Sequence, residues 1–270
     1  MSGVIGTGAL SPATVTGVSL TLEFDGAVAT LTIDRPDKRN AMNFEMWSAL
    51  PGLLAKVEQD DALRVLVIRG TTHFSAGADI SEFTALRREP ADARRYNAAV
   101  HAGERSIATL TKPVIAAITG VCVGGGCEIA VACDIRIAAD DARFGITPAK
   151  LGIVYNAVST KRLVDVVGPA WASQLLLSAE LVDAATALRI GLVNELHPAG
   201  DVFDRATALA GTIASRSQVS VRGSKTIINR ITDGLHDEDE AVHAMYEASV
   251  NSDDYAEGVA AFLAKRSPQF

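Results

Sequence analysis

Cysteine, aromatic residues and positive charge are all scarce in this sequence. The shortages of cysteine and of positive charge argue against particular classes of protein. The 270 residues include 3 Cys, 8 Phe, 4 Tyr and 2 Trp. The cysteines (Cys122, Cys127 and Cys133) form no C-x-x-C pair, which argues against a disulfide framework or a zinc site and indicates buried, reduced thiols. With 25 Lys and Arg against 32 Asp and Glu, the net charge of −7 offers no general attraction to nucleic acid or to an anionic membrane.

Several sequence signals of targeting and of common active sites are also missing. No apolar run approaches the roughly 18 residues of a membrane span. Residues 1–17 contain no Lys or Arg and no sustained apolar core, so they resemble neither a signal peptide nor a transit peptide. We therefore predict a disordered tail over residues 1–17 and a cytoplasmic protein. No H-x-x-x-H metal pair and no G-x-S-x-G nucleophile motif occurs, which argues against a metal centre and a serine hydrolase.

The hydrophobic pattern predicts an α/β fold. Two alternating segments, 18–24 and 27–33, flank Asp25-Gly26 and predict a β-hairpin. Further strands are predicted at 64–69, 114–118 and 135–138, and helices at 43–59 and 127–132. From residue 157 to 266 the pattern is almost wholly helical, with breaks near Gly168, Gly191 and Gly211. These segments predict an α/β core over 18–196 and a helical C-terminal region over 197–270.

The most informative segment runs from Ile115 to Glu128, from a predicted strand through Gly124-Gly125-Gly126 into a helix. Glycine permits close approach to the backbone, and a helix N-terminus offers unpaired N–H donors. The segment lacks the G-x-G-x-x-G and Gly-Lys-Ser/Thr patterns of phosphate loops. Two alternatives remain: an oxyanion hole made of backbone N–H groups, or a tight turn without function.

Glu128 lies on the first turn of that helix, within an otherwise apolar run. Burial of a carboxyl without a partner raises its pKa, and such a carboxyl is a good general acid or base near neutral pH. The alternative is a glutamate stabilised by the helix dipole or by an ion pair. The pattern favours the catalytic interpretation.

The chain resembles the crotonase superfamily, also called the enoyl-CoA hydratase/isomerase family. The segment 115–135 matches the family's glycine signature, and further matches lie at 35–43, 74–80 and 257–266. The resemblance extends over residues 18–270. It implies a crotonase-like spiral of ββα units, followed by C-terminal helices that support trimerisation.

The resemblance also implies a substrate and a binding site. Members of the family bind acyl-CoA thioesters and stabilise an enolate at the thioester oxygen. By resemblance, the oxyanion hole consists of the N–H groups of Ala78 and Gly125, with Glu128 as the acid/base. The residues expected to bind CoA are Lys38, Arg39, Ala76 and Lys265. The resemblance further implies fatty acid metabolism and a homotrimer or dimer of trimers. No metal and no cofactor is implied, since coenzyme A is part of the substrate.

The sequence departs from the family at one important position. Hydratases of the family carry a second glutamate four residues after the phenylalanine that matches Phe144, and here Pro148 stands in its place. Hydration needs one group to activate water and one to deliver a proton; a single Glu could do both in turn, but the missing partner should cost rate. Isomerisation can proceed with one base. The pair Tyr155-Asn156 resembles the sequence of the family's decarboxylase branch. In that case Tyr155 would donate a proton or bind a substrate carboxylate. The alternative is that Tyr155 is an aromatic residue that only packs.

These features predict hydration or double-bond isomerisation of an enoyl-CoA. The nearest alternative is decarboxylation of a carboxyacyl-CoA with Tyr155 in the site. A non-catalytic acyl-CoA binder is the third possibility, and the missing second glutamate supports it.

Overall fold

The computed structural model describes residues 13–14 and 18–270, and the ten strands in this part of the chain form two sheets. The strands are β1 (Ala13–Thr14), β2 (Leu20–Asp25), β3 (Val28–Ile33), β4 (Val65–Gly70), β5 (Val114–Ile118), β6 (Val121–Val123), β7 (Ile135–Ala139), β8 (Arg143–Gly145), β9 (Val182–Asp183) and β10 (Glu195–His197). The larger sheet has the order β1-β2-β3-β4-β5-β7-β10, and the smaller one has the order β6-β8-β9. Together with the helices, they confirm the predicted α/β class.

The predicted N-terminal hairpin is confirmed. β2 and β3 pair antiparallel with Asp25 opposite Val28, so the two-residue loop is Gly26-Ala27, one residue later than the sequence suggested. Gly26 has φ +55°, a conformation that costs glycine little and other residues more.

The strands from β3 to β10 run parallel in the larger sheet. β5 is buried along its whole length, and β4 is buried at five of its six residues. Sheets covered on both faces have such continuous apolar strands, which explains why β4, β5 and β7 were recognisable from sequence. Their carboxyl ends meet at one edge, where open α/β sheets place their ligands.

Ten α-helices surround the sheets in the described part of the chain. They are α1 (Phe44–Gln59), α2 (Phe83–Leu86), α3 (Pro90–Ala108), α4 (Gly125–Ala132), α5 (Ala157–Ser178), α6 (Ala184–Arg189), α7 (Val202–Ala214), α8 (Gln218–Thr232), α9 (Glu240–Val250) and α10 (Asp253–Leu263). Asn43 caps α1 by accepting a hydrogen bond from the Met46 N–H at 2.8 Å, which explains the start of this predicted helix. α5 kinks at Gly168, and Gly191 follows the end of α6, as predicted. The break predicted at Gly211 is wrong, because α7 continues through it.

Two predicted segment boundaries differ from the structure. Residue 196 falls inside β10, and α7 packs on β3, β4, β5 and β7, so the layers around the larger sheet extend to Ala214. Most of the tail predicted over residues 1–17 lies outside the described residues. At Ala13–Thr14 the chain is paired rather than disordered, because β2 offers an unpaired edge to this short antiparallel strand.

The last three helices pack one on the next. α9 packs on α8, and α10 packs on α9. Phe262 and Leu263, at the end of α10, are 83% and 75% exposed. The predicted trimer stays a prediction.

Two further findings concern the scarce residues and the length of the helices. All three cysteines are free and buried, which confirms the predicted reduced thiols. No helix in the described ranges is both long enough and apolar enough to cross a membrane.

Candidate active site

A cleft of about 130 Å³ opens at the carboxyl ends of the parallel strands. Its walls come from the loop after β4, the start of α4, helix α3 and the segment that joins β8 to α5. The lining includes Ala76, Ala78, Gly125, Glu128 and Tyr155, which the sequence analysis assigned to the site.

The backbone arranges two N–H donors on one wall of this cleft. The Met42 N–H donates to the Gly77 carbonyl at 2.7 Å, and the Asp79 N–H donates to the Met42 carbonyl at 2.8 Å. The N–H of Ala78, between these two bonds, donates to no other group in the described part of the chain, and the same holds for the N–H of Gly125. A methyl group built on Gly125 would lie 3.5 Å from the Ala78 nitrogen. The two donors are therefore neighbours.

Glycine is required at position 77 for this arrangement. Gly77 has φ +93°, and a Cβ atom there would lie 2.7 Å from the Val123 carbonyl oxygen and 2.9 Å from the Gly125 nitrogen. Both distances are shorter than real Cβ contacts. A side chain at position 77 would thus separate the two loops that carry the donors.

Glu128 borders the cleft on the first turn of α4 and is only 4% exposed. Burial raises the pKa of this carboxyl well above its ordinary range, and the charge of Glu104 raises it further. A raised pKa brings a carboxyl closer to the range in which it can both donate and accept a proton near neutral pH.

Glu104 was missed by the sequence analysis. This residue lies on α3, is 1% exposed and accepts a hydrogen bond from the Ser159 hydroxyl at 2.6 Å. A signal was available, since Tyr96, Gly103 and Ile107 lie on the same buried face at helical spacing. A carboxyl on an apolar helix face needs a partner, and helical spacing alone does not identify that partner.

Tyr155 and Pro148 both line the cleft beside Glu128. The Tyr155 hydroxyl is buried and has no hydrogen bond of good geometry among the described residues. Burial and the charges of Glu128 and Glu104 hold the pKa of Tyr155 well above its usual value, so the hydroxyl keeps its proton. Pro148 is buried at the start of a 3₁₀ turn. The position of the family's second glutamate is thus next to the cleft but carries an apolar ring.

The residues expected to bind CoA fall into two places. The Ala76 N–H donates to the Arg39 carbonyl at 2.9 Å, which brings the exposed Lys38-Arg39 pair to the rim of the cleft. Lys265 follows α10 and is not part of the lining. After Lys265, the Phe270 carbonyl accepts a hydrogen bond from Arg64, which precedes β4. The C-terminal segment therefore reaches the edge of the sheet opposite the cleft. The CoA-binding role of all four residues stays a prediction.

A larger and more open groove of about 790 Å³ lies between β2, β3 and α7. None of its lining residues is a buried polar or charged residue, and Arg69 there stacks on the Phe203 ring at 4.0 Å. No group of three or more His, Cys, Asp or Glu in the described ranges could hold a metal ion. The cleft beside Glu128 is therefore the site with acid–base chemistry.

The raised pKa of Glu128 leads to a prediction about stability. When the pKa of a carboxyl is higher in the folded than in the unfolded chain, the protein loses stability as the pH rises. The loss begins near the unfolded pKa of about 4.3 and continues up to the folded pKa. Glu128→Gln removes this penalty, so we expect its free energy of unfolding to exceed that of the wild type at pH 8.

Urea denaturation at several pH values measures this difference. The gap between Glu128→Gln and the wild type should shrink as the pH falls toward 4. A variant that is less stable than the wild type at pH 8 would show that Glu128 is ionised and well paired in the folded protein.

Comparisons with known proteins match the chain over nearly its whole length. A family model described as enoyl-CoA hydratase/isomerase matches residues 23–270. The crotonyl-CoA hydratase of Syntrophomonas wolfei is 37% identical over 258 residues, covering 93% of this chain and 97% of that protein. The short-chain-enoyl-CoA hydratase of Clostridium acetobutylicum is 36% identical over 252 residues, covering 91% and 94%.

Solved structures agree with these sequence matches. The crystal structure of an enoyl-CoA hydratase/isomerase family protein from Hyphomonas neptunium superposes with a TM-score of 0.91 at 36% identity. The superposition covers 94% of this chain and 97% of that one. An enoyl-CoA hydratase/carnitine racemase structure from Magnetospirillum magneticum gives the same TM-score of 0.91 at 35% identity, covering 96% of each chain.

Proposed function

Because the chain belongs to the enoyl-CoA hydratase/isomerase family, we propose that it hydrates an enoyl-CoA or moves its double bond, with Glu128 as the acid and base. The observation that carries the proposal is the position of this buried carboxyl. Glu128 lies on the same helix as Gly125 and borders the cleft into which the two free N–H groups open.

The two N–H groups of Ala78 and Gly125 would stabilise negative charge on the thioester oxygen. Removal of one such donor costs roughly 2.7–4 kcal/mol of transition-state stabilisation in well-studied cases. Both donors belong to the backbone, so they are fixed before the substrate binds. They would hold the enolate while a proton moves at the neighbouring carbon.

Isomerisation needs only Glu128 for proton transfer. Its carboxylate takes a proton from the α-carbon, the electron pair of that C–H bond passes to the thioester oxygen, and the protonated carboxyl returns the proton at the γ-carbon. In hydration, the same carboxylate takes a proton from water as the hydroxyl group adds to the β-carbon. The electron pair of the double bond passes to the thioester oxygen, and Glu128 returns a proton to the α-carbon, so one water is consumed.

A second candidate is supported by a cation in the cleft. Arg87 lines the cleft with its guanidinium 4.6 Å from the centre of the Phe83 ring, and it forms no ion pair within the described ranges. An unpaired guanidinium is suited to bind a carboxylate on the acyl group. Loss of CO₂ from such a substrate would leave its electron pair in the enolate, and Tyr155 or Glu128 would protonate the carbon.

Mass spectrometry of CoA esters incubated with the protein in D₂O distinguishes these reactions. The substrates are crotonyl-CoA, 3-hexenoyl-CoA and methylmalonyl-CoA, each with wild type and Glu128→Gln. Hydration adds D₂O across the double bond of crotonyl-CoA, and isomerisation moves the double bond of 3-hexenoyl-CoA. Decarboxylation removes CO₂ from methylmalonyl-CoA.

The proposal expects one of the first two products from the wild type and almost none from Glu128→Gln. Product from methylmalonyl-CoA alone would instead establish the decarboxylase. Binding of all three esters without any product would identify an acyl-CoA binder. A role in fatty acid metabolism and a cytoplasmic location are part of the same proposal, and the first of these follows from the substrate class.

A further inference from the structure

We propose that Glu104 is a positioning residue of this active site, which shares one proton with Glu128 and thereby supplies the second carboxyl that position 148 lacks. This inference rests on the proposed function. The carboxyl comes from α3, a different part of the chain from the segment that carries Pro148. It lies behind Glu128 rather than in the cleft, because Glu104 is not among the residues that line it.

The first argument is the burial of two carboxyls that Asn156 and Ser159 link by hydrogen bonds. Glu104 and Glu128 are 1% and 4% exposed, and neither forms an ion pair with a cation in the described part of the chain. Two adjacent buried carboxylates repel each other strongly, so such a pair holds a proton to a higher pH than a single carboxyl would. The pair then titrates as one unit with two macroscopic steps.

The second argument is the hydrogen-bond network around the pair. The Ser159 hydroxyl donates to Oε2 of Glu104 at 2.6 Å. Nδ2 of Asn156 donates to Ser159 Oγ at 2.9 Å and to Oε1 of Glu128 at 3.3 Å. Oε1 of Glu104 is buried and accepts no hydrogen bond from the described residues. That oxygen is therefore available for the proton shared with Glu128.

The other titratable groups around the pair do not offset its charge. Tyr155 faces it from the segment before α5, and Cys127 of α4 lies near Tyr155. His101 and Tyr96, on α3, line the same cleft, as does Arg87, the single Lys or Arg in that lining. Tyr155, Tyr96 and Cys127 are neutral when protonated, and no cation forms an ion pair with either glutamate.

One shared proton gives the site two forms that interconvert without solvent. With the proton on Glu128 and the charge on Glu104, the cleft has a proton donor. With the proton on Glu104 and the charge on Glu128, the cleft has a proton acceptor. The pair carries one negative charge in both forms, and its proton count is restored after each turnover. A single carboxyl with an ordinary pKa would be almost fully ionised at pH 7 and a poor donor.

The deciding experiment is the titration of Glu128 by ¹³C NMR of side-chain carboxyls, without substrate, in the wild type and in Glu104→Gln. Gln has nearly the same shape as Glu but removes the second carboxyl. We expect the pKa of Glu128 to fall by about one unit or more in Glu104→Gln, as for coupled sites generally. Glu104→Asp, which keeps the charge but moves it away by one methylene, should show a smaller fall.

Ser159→Ala is the matched control, because it removes a hydroxyl from the same network and leaves both carboxyls in place. The Ser159 hydroxyl lowers the pKa of Glu128, so its removal should leave that pKa raised or raise it further. An unchanged pKa of Glu128 in Glu104→Gln, or an equal fall in Ser159→Ala, would overturn the proposal.

The pH profile of kcat is the second measurement. In Glu104→Gln the limb that reports Glu128 should move to lower pH by the same amount as the NMR titration, while KM changes less than about threefold. A residue that only supports the fold would lower kcat at every pH without moving the limb. Because the NMR titration needs no substrate, a wild type that turns over none of the CoA esters would refute the proposed function and leave this test intact.

Discussion

Replacing Glu128 with Gln is expected to lower kcat by about 10³-fold, within the range found for loss of a positioned acid–base group. The amide fills the same volume on α4 but neither accepts nor returns a proton. KM should stay within about threefold of the wild type, because the N–H donors of Ala78 and Gly125 are unchanged. Steady-state kinetics on whichever CoA ester the wild type converts gives both constants.

Glu247→Gln is the matched control, since it makes the same chemical change on an exposed position of α9 and should leave kcat unchanged. If Glu128→Gln keeps more than about a third of the wild-type kcat, then Glu128 is not the acid and base. In that case Tyr155 becomes the next candidate, because its buried hydroxyl keeps its proton and lines the same cleft.

The second large effect is expected from Gly77→Ala, with a loss of about 10²–10³-fold in kcat. The new methyl group would overlap the Val123 carbonyl oxygen and the Gly125 nitrogen, so the two loops must move apart. The donors on Ala78 and Gly125 then no longer converge on one oxygen. The substituted residue also has φ +93°, which adds about 1–3 kcal/mol of backbone strain.

Two controls separate the movement of the N–H donors from a change of side chain at the donor and from the strain of alanine at positive φ. Ala78→Gly removes a side chain at the donor itself and should cost less than about tenfold, because the N–H belongs to the backbone. Gly26→Ala introduces an alanine at φ +55° in the hairpin, where nothing lies within 4 Å of the new methyl group, and should lower stability without lowering kcat. Equal losses of activity in Gly77→Ala and Ala78→Gly would argue against a backbone oxyanion hole.

Elements with strong local signals were recovered from the sequence. Asn43 and the apolar periodicity that follows it place α1 correctly, and β5 spans the predicted residues, because a cap and a continuous buried run are local properties. β10 and the three strands of the smaller sheet were not recovered. Each has only two or three residues, and its pairing partner, such as β7 for β10, lies far away in the sequence. Their stability comes from that pairing, which no local pattern reveals.

The candidate active site also has features with local sequence signals and features that depend on distant contacts. Residue type and short spacing were enough to predict the glycine-rich turn, the carboxyl at Glu128 and the absence of the second carboxylate at Pro148. In contrast, Glu104 and Ser159 come together behind Glu128 through the packing of α3 and α5, which no local pattern predicts. The physical reason is that a buried carboxyl is defined by its neighbours. Helical spacing shows that Glu104 faces inward, whereas helix packing decides what it meets there.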